Sequence, residues 1–147
     1  MAKSFQQLMS VFMSRAAGVN TYGQLVGPAF IPNISVKIDD YTVTAAESGT
    51  IFTTTGATKA INFTLPAISD GPFEFRFLCG ADQSLTVTAA TADTLVAFND
   101  LTADSVALST SSEKIGGGFQ VVCDGTTLFA YALLGDGRYQ TVTIATA

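Results

Sequence analysis

Histidine and tryptophan are absent from this 147-residue chain, and cysteine occurs only twice. Without histidine the commonest general base, the serine–histidine couple and the usual zinc ligand are all missing. Any catalysis would fall to carboxylates, and the twelve acidic residues form no recognisable set. Asp39 and Asp40 are adjacent, Asp70, Asp82, Asp93, Asp100 and Asp104 flank turns, and Asp124 and Asp136 stand beside glycines. That is turn chemistry, without the alternating spacing of a calcium loop and with no pair singled out for glycoside hydrolysis. The expectation is a protein with no enzymatic activity, no metal and no cofactor.

Charge is equally scarce. Asp, Glu, Lys and Arg make up 13% of the chain, against about 25% in an average soluble domain. Seven basic residues are scattered along a chain of net charge -5, whereas a phosphate-tracking surface needs them clustered, so nucleic acid is not an expected partner. Gly116, Gly117 and Gly118 resemble a phosphate-cradling loop only superficially, because no Lys-Ser or Lys-Thr follows and the next residues look like a strand. No apolar run approaches the roughly 18 residues of a membrane span. The run from Leu8 to Met13 is interrupted by Ser10 and too short for a signal-peptide core, so cytoplasmic synthesis without processing is expected.

Two cysteines are too few for a disulfide scaffold. Cys79 shares strand parity with Phe73, Phe75 and Phe77, and Cys123 with Phe119 and Val121. They fit as small core residues; a bridge between neighbouring strands is the alternative.

What the chain does have is alternation. Apolar residues two apart mark strands at Thr50 to Thr54, Ala60 to Leu65, Phe73 to Cys79, Ser84 to Thr88, Thr94 to Phe98, Ser105 to Ser109, Phe119 to Asp124, Thr127 to Leu133 and Gln140 to Ala145. Ile34, Val36 and Ile38, followed by Tyr41 and Val43, give a first strand or a bulged pair. Asp124-Gly125 between two apolar runs predicts an antiparallel hairpin. Glu74 and Arg76 fall on the polar parity of an otherwise aromatic strand, placed to pair with another strand or another subunit. The spacing predicts a mainly β fold, an antiparallel β-sandwich or β-barrel of jelly-roll type, carrying Thr, Ser and Ala on its outer strand faces. Such faces cost little to desolvate, which suits a subunit that expects partners.

One segment has helical spacing instead. Phe5, Leu8, Met9, Phe12, Met13 and Ala16 recur at three and four, with Ser4 as N-cap and Gly18 as the stop. A helix of about 12 to 14 residues is marginal alone in water, so its stripe must be buried. It could pack on the subunit's own sheet, on a neighbouring subunit or lattice, or on a membrane. Glycines and prolines between Gly18 and Pro32 predict an extended arm after it. The expected organisation is a helix and arm over 1–40 and a β-domain over 41–147. Phe5, Leu8, Met9, Phe12 and Met13 are the candidate docking or subunit interface.

From Ser48 to Leu95 the order of motifs is a Gly-Ala turn before Ile61–Pro66, a Gly-Pro entry into the strand of Phe73, Phe75 and Phe77, then a Thr-rich strand running into Thr91–Thr94. This order resembles the small β-domains of tailed-phage virion proteins of the capsid decoration, or cement, and head-fibre type. Where members of that group often place a Trp in the last hairpin, this chain has Phe129. The resemblance implies a virion protein on the outer capsid surface, bound to the major capsid protein, assembled as a homo-oligomer and specifically a trimer, and stabilising the shell. A head-fibre or tail-associated module that binds a host glycan or receptor is the alternative.

Overall fold

The computed structural model describes residues 33–92, 94–110, 114–133 and 142–145. The helix expected over Phe5 to Ala16 and the arm after it lie outside the described residues. The described residues fall in one compact unit, Asn33–Ala147.

Its described residues are mainly β and form twelve strands: β1 Ile34–Val36, β2 Tyr41–Thr42, β3 Ile51–Thr53, β4 Ile61–Thr64, β5 Phe73–Leu78, β6 Leu85–Thr88, β7 Leu95–Ala97, β8 Asp100–Ala103, β9 Ser105–Leu108, β10 Gly118–Cys123, β11 Leu128–Ala132 and β12 Val142–Ala145. They form a seven-stranded sheet, β1-β3-β5-β10-β11-β7-β8, and a five-stranded sheet, β12-β9-β6-β4-β2. Every strand expected from alternation within the described residues is present to within one or two positions, the usual uncertainty of an element boundary.

Strand direction departs from expectation. The sheets are mixed, with five parallel pairings, β1 with β3, β3 with β5, β2 with β4, β4 with β6 and β7 with β11. The cause is the path of the chain. From β1 to β6 each strand lies in the sheet opposite to the one before it, so the chain returns to a sheet beside its earlier strand and pointing the same way. A strand in the other sheet thus serves as the crossover that parallel pairing requires, a place more often taken by a helix. Antiparallel pairing takes over later, where β10 and β11 join through Asp124-Gly125 as expected and β10 also pairs with β5.

The apolar faces of the two sheets share one core. Phe52 on β3 lies 5.6 Å, centroid to centroid, from Phe63 on β4, and Phe63 lies 4.9 Å from Phe77 on β5. These are contacts between opposite sheets, in tilted geometries that aromatic rings favour. Phe75, Phe119, Leu85, Val87, Leu95, Val106, Leu108 and Leu128 complete the buried layer. The Phe73–Phe77 strand therefore turns its rings inward, as its parity predicts.

Strand β8 has no counterpart in the sequence expectations. Asp100, Leu101, Thr102 and Ala103 do not alternate, and only Ala103 is buried. Its pairing comes from the turn before it, in which Phe98 and Asn99 both take positive φ, 50° and 73°. Two such residues in succession form the two-residue hairpin loop whose twist matches its strands.

Candidate functional site

The five interface candidates Phe5, Leu8, Met9, Phe12 and Met13 lie outside the described residues. Within them, the chemistry-bearing groups are dispersed, and no three His, Cys, Asp or Glu side chains come together as a metal site. No described helix is long and apolar enough to cross a membrane.

Both thiols are free and buried. Register rules out a bridge between them: Cys123 stands opposite Phe73, while Gly118 stands opposite Leu78, the residue before Cys79. The cysteines thus sit at opposite ends of the β5–β10 pair, six residue steps or roughly 20 Å apart, far beyond the reach of a disulfide. Burial pushes the Cys79 thiol up from its ordinary value, outweighing the hydrogen bond it gives to the Ala81 carbonyl at 3.2 Å. Nearby Lys114, almost wholly buried, places its ammonium 3.6 Å from Asp82. Nothing in the sequence around Lys114 signals its burial.

A shallow recess of about 600 Å³ opens where β2 and β4 end, lined by Thr42, Thr44, Thr64, Pro66 and Asp70. The Thr44 and Asp70 groups that line it are committed to local structure. Asp70 accepts from the Ala67 N–H at 3.1 Å, and the Thr44 N–H and hydroxyl both donate to Glu47 at 2.9 Å. Burial alone would raise the Glu47 carboxyl, but those bonds, the Tyr41 hydroxyl at 2.7 Å and the charge of Lys37 hold it below its ordinary value. Satisfied acceptors of this kind explain a turn better than a binding site.

The outer faces of the sheets carry more information. On the five-stranded sheet the outward residues are Thr42, Asn62, Thr64, Thr86, Thr88, Ser105 and Ala107, the small neutral set expected from sequence. The seven-stranded sheet is different. Registers align Ile34, Ile51, Arg76, Gln120 and Tyr131 in one outward row, with Val36, Thr53 and Leu78 on one side of it and Glu74, Val122, Phe129 and Val96 on the other. Ile34, Val36, Leu78 and Tyr131 are exposed, Ile34 at 60%. Ile34 and Val36, whose alternation marked the first strand, face outward, because Ser35 is in register with the inward Phe52. A usable signal was the run Leu128 to Ala132, apolar on both parities, since such a strand turns apolar residues away from the core as well as into it.

Glu74 and Arg76, expected to pair across strands or subunits, pair with each other at 3.2 Å, and Gln120 on β10 donates to the same Glu74 oxygen at 2.8 Å. This polar trio sits in the middle of a face that is otherwise apolar except for Thr53. Comparison of the chain with protein-family models, with curated proteins and with solved structures finds no match.

Proposed function

We propose that the protein is a structural subunit of a phage particle, a capsid decoration protein whose work is done by surface burial and not by chemistry. The observation that carries this is the outer face of the seven-stranded sheet, where Ile34 and Val36 on β1, Leu78 on β5 and Tyr131 on β11 are exposed on one face of a chain poor in charge. Contiguous apolar surface of this sort marks interaction sites. The body is a two-layer β-sandwich. It binds the major capsid protein at the shell surface, self-associates, and stabilises the closed lattice by preferring the assembled state. The resemblance of its strand motifs to decoration proteins supports the capsid as partner and implies three-fold assembly.

The N-terminal stripe of Phe5, Leu8, Met9, Phe12 and Met13 is the proposed attachment element. Burying each large apolar side chain contributes about 1.5 to 3 kcal/mol. Replacing Leu8 and Phe12 with Asp should therefore sharply reduce occupancy on particles, while the strand circular-dichroism signal and cooperative melting persist. Loss of cooperative melting would place the stripe in the subunit's own core. Quantitative mass spectrometry and antibody labelling of purified virions test the role itself: decoration requires many copies over the whole shell. Label confined to a vertex or the tail would establish the fibre alternative, and absence from virions would end the proposal.

A further inference from the structure

The two sheets present opposite characters to the outside, and only one of them is suited to meet its own copy. Across the five-stranded sheet the outward positions are hydroxyls, an amide and small methyls. Across six strands of the other, from β1 to β7, they are Ile34, Val36, Ile51, Leu78, Val96, Val122, Phe129 and Tyr131, with Thr53 and the Glu74–Arg76–Gln120 trio among them. If apolar outward residues were merely a consequence of low overall charge, both faces would carry them.

We propose that this outward face is a two-fold self-association surface, occupied by the same face of a second copy of the chain. A two-fold interface must be its own complement, so apolar residues meet apolar residues and each charge meets its opposite. The face meets that condition with a single acid and a single base, two residues apart on β5 and next to the centre of the six strands. An axis passing between them sets Glu74 of one copy against Arg76 of the other, twice over. The face also carries no net charge, although the chain carries -5. The remaining described acids, among them Asp39, Asp70, Asp100 and Asp124, lie in turns or at strand ends. Copies that would otherwise repel one another can therefore approach here.

Size sets the expected strength. Six strands about 4.8 Å apart, with two or three outward positions on most of them and one on β7, span on the order of 400 Å² per copy, or about 800 Å² for the pair. That is the size of a weak, transient contact and falls short of a standard interface, so the pair should form reversibly and only at high protein concentration. A two-fold pair differs from the three-fold assembly implied by the resemblance, and it does not depend on whether the subunit sits on a capsid.

Sedimentation of the full chain over a concentration series decides it, with melting curves to show that every variant folds. The expected result is a dimer whose dissociation constant rises about tenfold or more in Val36→Asp, which puts an unpaired charge into the apolar part of the face, and in Arg76→Glu, which sets acid against acid across the axis. The exchange Glu74→Arg with Arg76→Glu restores self-complementarity and should return the affinity to near that of the unaltered chain. Thr86→Asp, which adds the same charge to the opposite sheet, should leave the dimer intact. A monomer at all concentrations, a trimer, or failure of the exchange variant to recover would overturn the proposal. So would dissociation by Thr86→Asp, or by Leu8→Asp with Phe12→Asp, while Val36→Asp has no effect.

Discussion

At the scale of single residues, Gly118 shows how closely the central strands approach one another. It opens β10 opposite Leu78, and a Cβ added there would run into the backbone carbonyl of Phe77, which cannot swing aside as a flexible side-chain end would. Gly118→Ala should therefore force β5 and β10 apart and lower stability by about 1–3 kcal/mol, the range of overpacked sites. Urea unfolding measures it; an unchanged midpoint would mean that the strands yield without cost. Among Gly116, Gly117 and Gly118, the residue that invited comparison with a phosphate loop is thus needed for the opposite reason, as a place where a side chain cannot fit.

At the scale of elements, the β10–β11 hairpin is held by one carboxylate. Asp124 Oδ1 accepts from the Thr126 N–H at 2.8 Å, the Thr126 hydroxyl at 2.7 Å and the Thr127 N–H at 2.8 Å, while Gly125 takes φ +92°. The Thr126 hydroxyl and these backbone donors hold the carboxyl below its ordinary 3.8. A carboxyl depressed in the folded state contributes stability that is complete above its unfolded pKa and is lost as pH falls through the folded one. Asp124→Asn keeps an acceptor but removes the charge. Its melting temperature should be lower than that of the unaltered chain at neutral pH, and the gap should narrow below about pH 3.8. A gap that stays constant with pH would show that the turn does not need the charge. The outermost strands follow a different logic: β8 exists because Phe98 and Asn99 turn the chain back on β7, with little help from its own side chains.

At the scale of the whole described unit, the alternating path from sheet to sheet makes the two sheets interdependent. Each strand from β1 to β6 is connected through a strand of the other sheet, and Phe63 touches both Phe52 and Phe77 across the core. Phe63→Ala should cost about 3–5 kcal/mol. Because the core is shared, hydrogen exchange should accelerate in β5 and β10 as much as in β4 and β6. Acceleration confined to the five-stranded sheet would show that the layers unfold separately.

How much of this was legible beforehand follows from what alternation encodes. A period of two states that a residue pair faces one side of a strand, and it located the described strands other than β8 and turned Phe73, Phe75, Phe77, Cys79 and Cys123 inward. It also gave the neutral, hydroxyl-rich face of the five-stranded sheet. Direction is another matter, because parallel and antiparallel strands with one outward face carry the same alternation. Only the path between the sheets made β1, β3 and β5 parallel. Nor does periodicity say which parity is buried when both are apolar, as in Leu128 to Ala132, or when a strand lies at an edge, as β1 does. Sequence by itself determined the mainly β class of the fold and the strand positions, since these depend on local residue types. The tertiary structure decided which sheet turns an apolar face outward and that Glu74, Arg76 and Gln120 meet at its middle, since that depends on register between strands as much as 46 residues apart.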